Sequence, residues 1–213
     1  MKATQPNYDR LFQIEPCRAA SGCPNSNIDA GPLIASMEET FRRLDFTARL
    51  RDRLAGGQIL FHHIFRVSIS GCPNACSRPQ IADFGLVGQV EPQLEHEACT
   101  GCGACIMACP EGVIALEGGT PVLNRKRCLL CGNCIRACTP RALHTGRKGL
   151  SIMVGGRLGR HPRLALRLAD LASTEEAVSR LTELCDVYLK TARPGERFGS
   201  FLDRCGKFAE SGG

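Results

Sequence analysis

Residues 65–88 read FRVSISGCPNACSRPQIADFGLVG. The chain from Ile59 to Ser70 is predicted as a strand, because Val67 and Ile69 alternate with Ser68 and Ser70. That strand delivers the chain to Cys72, at a turn shaped by Gly71 and Pro73. Cys76 follows after three residues, and a second strand is predicted from Ala82 to Val90. Upstream, CRAASGC sets Cys17 and Cys23 in another pair, with Gly22 before and Pro24 after the second thiol. Read by spacing alone, two wide pairs leave three readings open: an iron-sulfur site, a zinc site or four unrelated thiols.

Eight further cysteines leave fewer choices. Cys99, Cys102, Cys105 and Cys109 repeat their spacing at Cys128, Cys131, Cys134 and Cys138, with Pro110 directly after the first run and Pro140 one residue beyond the second. Each is the C-x2-C-x2-C-x3-C run of bacterial two-cluster ferredoxins, where four soft thiolates on a short loop satisfy the irons of a [4Fe-4S] core. The fourth Cys of each run crosses to the other cluster in such proteins. The expected sets are therefore Cys99, Cys102, Cys105 and Cys138 on one side, and Cys128, Cys131, Cys134 and Cys109 on the other. Zinc sites pair two shorter hairpins across a longer gap and match this pattern poorly.

Composition narrows the setting. A chain of 213 residues with 43% hydrophobic content supports a real core. It has 14 Cys, no leading apolar segment and no stretch long enough to span a membrane, so a reducing compartment is expected: the cytoplasm of an anaerobe or microaerobe. The net charge of +6 is dispersed, and with two Tyr and no Trp to stack bases, nucleic acid is not an expected partner. Each bound oxidised cluster with its four thiolates would bring roughly two negative charges and offset much of that balance.

Around these motifs the chain reads as α+β. Ile34 to Leu54 is predicted as one surface helix, with Ile34, Met37, Phe41, Leu44 and Phe46 on its apolar stripe and Gly56 and Gly57 ending it. Gly149 to Gly156 is predicted as a buried strand. Ser173 and Glu176 form a capping box ahead of a helix carrying Val178, Leu181, Leu184, Cys185 and Tyr188, stopped by Pro194 and Gly195. A shorter helix is expected over Phe198 to Cys205; Cys185 and Cys205 read as small core residues. The segments divide as 1–96, 97–144 and 145–213, the middle one a two-cluster ferredoxin-like insertion.

The stretch 65–88, together with CRAASGC, closely resembles the sirohaem-binding segment of the sulfite and nitrite reductases, and GGRLGRHP at 155–162 looks like that family's later glycine-basic segment. The resemblance extends to the insertion, since several anaerobic and dissimilatory sulfite reductase subunits carry a ferredoxin module at the same place. It implies a sirohaem-reductase-like mixed sheet with helices. It also implies a third [4Fe-4S] cluster on Cys17, Cys23, Cys72 and Cys76, with Cys76 shared with the sirohaem iron. Asn74, Arg78, Arg157 and Arg160 are then expected against the macrocycle, with Arg163 as a further guanidinium, since forked donors suit a polycarboxylated tetrapyrrole. The 155–159 glycines match neither the P-loop nor the dinucleotide pattern, which argues against a nucleotide site.

The function implied is that of an oxidoreductase in which an electron donor protein feeds the ferredoxin clusters, and electrons pass to a cluster-coupled sirohaem that reduces a small oxyanion, sulfite or nitrite. Arg18, His62, His63 and Arg66 are the expected proton-delivery and anion-holding residues. A hydrogen-bonded structural role is the competing reading for the two histidines. Family members carry a small domain ahead of the first cysteine pair, whereas 16 residues precede Cys17 here. A homo-oligomer or a partner subunit is therefore expected to complete the pocket. The alternative is a multi-cluster electron-transfer subunit without sirohaem or a substrate site.

Overall fold

The computed structural model describes residues 9–54 and 59–206. Its centre is a five-stranded mixed sheet built from β1 (Phe12–Pro16), β2 (Phe65–Ser70), β3 (Phe84–Leu94), β6 (Leu143–Val154) and β7 (Leu166–Ala172), in that spatial order. β1, β2 and β3 run parallel, while β6 is antiparallel to both β3 and β7. A separate two-stranded hairpin, β4 (Ile114–Glu117) and β5 (Thr120–Leu123), lies between β3 and β6 in sequence.

One face of the sheet is apolar and packs on helices. α1 (Ala30–Arg43), α2 (Phe46–Arg53), α5 (Thr174–Thr191) and α6 (Phe198–Cys205) bury Leu33, Met37, Phe41, Leu50, Leu181, Leu184 and Phe201 against Phe65, Val67, Ile69, Leu86 and Ile152. A run of aromatic rings ties these elements together. Phe12 stacks on Phe41 at 4.2 Å, Phe41 meets Phe46 at 5.0 Å, and Phe65 touches Phe198 at 4.8 Å, which in turn meets Tyr188 at 5.3 Å. Such offset and edge-on pairs add to simple burial. Asp29 caps α1 by accepting from the Gly31 N–H at 3.0 Å, and Ser173 caps α5 by accepting from the Glu176 N–H at 3.1 Å.

On the other face β2 presents Ser68 and Ser70, and the cysteine-bearing loop after β2 covers them. Because strand residues alternate between faces, Val67 and Ile69 enter the helical core while Ser68 and Ser70 point to this loop. The Ser68 hydroxyl donates to the Ser77 carbonyl at 2.7 Å, and the Ser70 and Ser77 hydroxyls share a hydrogen bond of 2.7 Å. Burial of both serines is thus matched by bonds to residues 71–83.

Several element boundaries differ from the sequence expectation. The single helix expected over 34–54 is two, because Asp45 takes a left-handed conformation (φ 47°) and turns the chain between α1 and α2. The stop expected at Gly56 and Gly57 lies outside the described residues. The strand expected from Ile59 begins only at Phe65; residues 61–63 form a short 3-10 turn, so His62 and His63 are not strand residues. β3 and β6 are both longer than expected, because they pair with each other continuously from Phe84↔Val154 to Leu94↔Leu143, around one irregularity at Val90 to Pro92. Among the described residues no helix is long and apolar enough to cross a membrane.

Asp83, at the entry to β3, accepts from the Arg66 N–H at 2.9 Å, and its carbonyl accepts from the Gly155 N–H at 2.8 Å. Burial raises its carboxyl to about 6, against the pull of Arg197 and Arg66. A carboxyl raised in the folded state favours folding while protonated, and that contribution is lost as pH rises from about 4 through about 6. Asp83→Asn is therefore expected to gain stability relative to the parent across this window, by roughly 2–3 kcal/mol. Denaturant titrations on either side of it check the sign.

Candidate iron-sulfur site

The parallel pairing of β1 and β2 brings the first two thiol loops together. Pro16 pairs with Ile69, so the next residues of both strands emerge at the same edge of the sheet. The Cys17 N–H continues the ladder to the Ile69 carbonyl at 2.8 Å, and the Cys17 sulfur accepts from the backbone N–H of Gly71 and of Ala19, each at 3.3 Å. Cys23 is held by its N–H to the Arg18 carbonyl at 3.1 Å. Gly71 is required by this approach, since a Cβ there would lie 2.1 Å from the Ser26 hydroxyl and 2.6 Å from the Ala19 Cβ. Beyond it, Ala75 (φ 54°) and Arg78 (φ 61°) both adopt left-handed backbone, which folds the Cys72–Cys76 loop back over the sheet. Asn74 donates through Nδ2 to the Cys76 sulfur at 2.9 Å.

The thiols of this loop sense one another. Burial pushes the Cys72 thiol up from its ordinary value, and the charges of Cys76, Cys17 and Cys23 push the same way. Four mutually repelling thiolates at one sheet edge are a donor set that a cation-rich core would stabilise.

Between Leu94 and Leu143 the two C-x2-C-x2-C-x3-C runs form short helices, α3 (Ala104–Met107) and α4 (Asn133–Ala137), each begun by a glycine in left-handed conformation. They surround two apolar cavities. One is lined by Cys99, Cys102, Cys105 and Cys138 with Leu94, Pro121 and Leu143. The other is lined by Cys109, Cys128, Cys131 and Cys134 with Pro92, Val113 and Leu123. The fourth thiol of each run lies with the other run, through the contact between α3 and α4. Burial raises Cys105, with Cys138 and Cys102 adding to it, and it raises Cys134 to about 11, with Cys131, Cys128 and Cys109 adding to it. Exposed Cys102 is lowered instead, chiefly by the N–H of Ala104 and then by the Thr100 hydroxyl.

Among the described residues no three His, Cys, Asp or Glu side chains are grouped as a single ion would need. Each small cavity brings together four thiols, three from one run and one from the other, a soft donor set whose chemistry suits an iron-sulfur core.

Residues 8–208 match the family model of the nitrite and sulphite reductase 4Fe-4S domain. The chain belongs to that family. It is 32% identical over 198 residues to the coenzyme F420-dependent sulfite reductase of Methanocaldococcus jannaschii, covering 91% of this chain and 29% of that protein. It is 40% identical over 57 residues to a subunit of the anaerobic sulfite reductase of Salmonella typhimurium, covering 25% of this chain and 17% of the relative. The chain thus spans less than a third of the length of these curated relatives. In fold it is similar to the crystal structure of dissimilatory sulfite reductase I, with a TM-score of 0.60 and 21% identity over 90% of this chain and 49% of that one.

The other expected site residues divide into two groups. Arg18, Asn74, Cys76 and Arg78 are exposed at the edge where the thiols emerge, and Arg160 is exposed in the 155–163 loop. His62, His63 and Arg66 instead lie at the opposite end of β2 from Cys72, separated from it by a strand of about 20 Å. His63 Nδ1 accepts from the Leu60 N–H at 3.1 Å, and Arg66 is paired with Glu15 at 2.9 Å. Burial lowers both histidines, and nearby Arg197 lowers them further. Arg157 bonds Asp203 at 2.6 Å, and Arg163 is paired with the same carboxylate.

The residues that sequence reading missed are those holding the thiol loops: Ser68, Ser70, Ser77 and Asn27. The alternation of Ser68 and Ser70 marks the strand but carries no sign of the loop that they bond. Gly71→Ala should force the Cys17 and Cys72 loops apart and lower the iron bound per chain relative to the parent; iron analysis after anaerobic reconstitution tests it.

Proposed function

We propose that this chain is the cluster-bearing part of a sirohaem-dependent sulfite or nitrite reductase. In this reading three [4Fe-4S] clusters sit on the sets Cys99/Cys102/Cys105/Cys138, Cys128/Cys131/Cys134/Cys109 and Cys17/Cys23/Cys72/Cys76, with Cys76 also facing the tetrapyrrole iron. The segment around 97–144 is then a ferredoxin-like module between two parts of the reductase-like domain, 1–96 and 145–213. The observation that carries the proposal is the grouping of all these thiols in the folded chain, two sets around cavities and the third at the end of β1 and β2.

When bound, these groups supply one-electron transfer and the multi-electron reduction of a small oxyanion at the tetrapyrrole. The chain's own residues supply the rest. N–H groups of Ala19 and Gly71 and the Asn74 amide point at sulfurs and stabilise their negative charge, a lever on reduction potential. Arg18, Arg78 and Arg160, exposed, are available to carboxylates of the macrocycle or to the anion. A cleft lined by Cys72 and Asn74 on one side and Cys131, Asn133 and Arg136 on the other sets the second ferredoxin run next to the third thiol set. Electrons from a donor protein then enter at the first run, where Cys102 is exposed.

Cys76 and Asn74 stand open to solvent, so a second copy or a partner subunit is assigned the task of closing the pocket. The Salmonella relative is named as one subunit of its reductase, which supports a complex. The distant position of His62, His63 and Arg66 leaves Arg18 as the nearest of the four expected catalytic residues in this reading. The cytoplasm of an anaerobe suits thiolate sets of this kind.

A second reading keeps the clusters and omits the sirohaem. The pairing of Arg157 and Arg163 with Asp203 favours it, because two of the expected carboxylate ligands already have a carboxylate. Anaerobic purification with visible spectroscopy and iron analysis separates the two. The proposal expects Soret and long-wavelength bands with about thirteen irons and sulfite- or nitrite-dependent oxidation of a reduced dye. A broad cluster shoulder alone, with about twelve irons and no uptake of added sirohaem, leaves the electron-transfer subunit.

A further inference from the structure

We propose that Asn27 is the bonded bridge between the Cys131 loop and the Cys72 loop, the two thiol-bearing segments that face each other across the cleft. The inference rests on the cluster reading above and adds to it a residue that belongs to no cysteine motif. Asn27 lies four positions beyond Cys23 and is 8% exposed. Its backbone N–H donates to the Gly71 carbonyl at 2.7 Å, one peptide bond from Cys72. Its side-chain Nδ2 donates to the Cys131 carbonyl at 3.4 Å and to the Gly88 carbonyl at 3.3 Å. Its Oδ1 accepts from Arg136 at 3.4 Å, and Arg136 also donates to the Cys131 carbonyl at 3.0 Å.

A buried amide is costly unless its donors and acceptor are used, and here all are. The bonds also make a continuous path: Cys131 carbonyl, Asn27 amide, Asn27 backbone, Gly71 carbonyl, Cys72. Electronic coupling decays less along covalent and hydrogen bonds than across an open, water-filled gap, so this path outranks a jump across the cleft. Other ties at the junction either end elsewhere or pass through Asn27 itself. The Val90 N–H bond to the Leu130 carbonyl, at 2.8 Å, ends on β3, and the Arg136 tie from the Cys131 carbonyl reaches Cys72 only by way of Asn27 Oδ1. In the step concerned, one electron leaves the centre on the Cys131 set, which is oxidised, and reduces the centre on the Cys72 set. An external one-electron donor restores the first, and no bond or proton changes place.

The test uses the full chain, purified anaerobically, with iron content and midpoint potentials measured first. Asn27→Leu removes the side-chain bonds at similar volume, and Asn27→Asp removes only the donor while keeping an oxygen for Arg136. Arg136→Ala loosens the same junction without cutting the path. After flash photoreduction, rapid-freeze paramagnetic resonance follows reduction of the Cys72-set centre. Several-fold slowing in Asn27→Leu, a smaller slowing in Asn27→Asp, which keeps the Arg136 tie, and a rate close to the parent in Arg136→Ala are expected, with iron and potentials unchanged. A parent-like rate in Asn27→Leu, or equal slowing in Arg136→Ala, overturns the bridge. If the parent itself lacks the third centre's iron, the cluster reading fails first, and the iron count shows it before any variant is made.

Discussion

The arrangement depends on two adjacent parallel strands ending together. β1 and β2 are paired in register up to Pro16 and Ile69, so Cys17 and the Gly71–Cys72 turn are delivered to one edge by backbone hydrogen bonds and not by side-chain attraction. Burial raises Cys72, and the charges of Cys76, Cys17 and Cys23 add to it, so the donors do not gather by attraction. The sheet and its helical core must therefore hold the donors in place. The aromatic run from Phe12 to Tyr188 anchors β1, β2 and the helices behind them, which gives that edge a rigid support.

The two faces of the sheet divide the work. One carries large apolar side chains and packs on α1, α2, α5 and α6. The other carries Ser68, Ser70 and Gly85, which leave room for the 71–83 loop to lie directly on them. A Cβ on Gly85 would come within 2.3 Å of the Pro79 carbonyl, so the loop's close seat is written into the strand as well as into the loop. Left-handed backbone at Ala75 and Arg78 is sustained by the serine bonds around it.

Much of this was legible in the sequence, and unevenly so. Cysteine spacing announces the two C-x2-C-x2-C-x3-C runs because ligands to a shared core recur at fixed steps, and each cavity groups three thiols of one run with the fourth of the other. The α5 cap and stripe were readable because Ser173 and the apolar residues act locally. β1 was not, being a five-residue edge strand whose partner lies more than fifty residues away. The break at Asp45 was hidden because the apolar stripe continues through it; only a left-handed residue reveals the turn. His62 and His63 looked like site residues by proximity in sequence to Cys72, but an extended strand converts few residues into a long distance. The bonds of Ser68 and Ser70 to the loop were not legible, because alternation tells which residues share a side, not what covers that side.

The β3–β6 pairing ends on Leu94 opposite Leu143, with both cysteine runs lying wholly beyond that last rung. A stretch of chain that leaves and re-enters a ladder at neighbouring residues adds nothing to the register behind it. Evolution could lengthen, shorten or exchange such a stretch while every other strand kept its partner. The thiol-bearing stretch of a protein built this way is free to diversify separately from the frame that carries it.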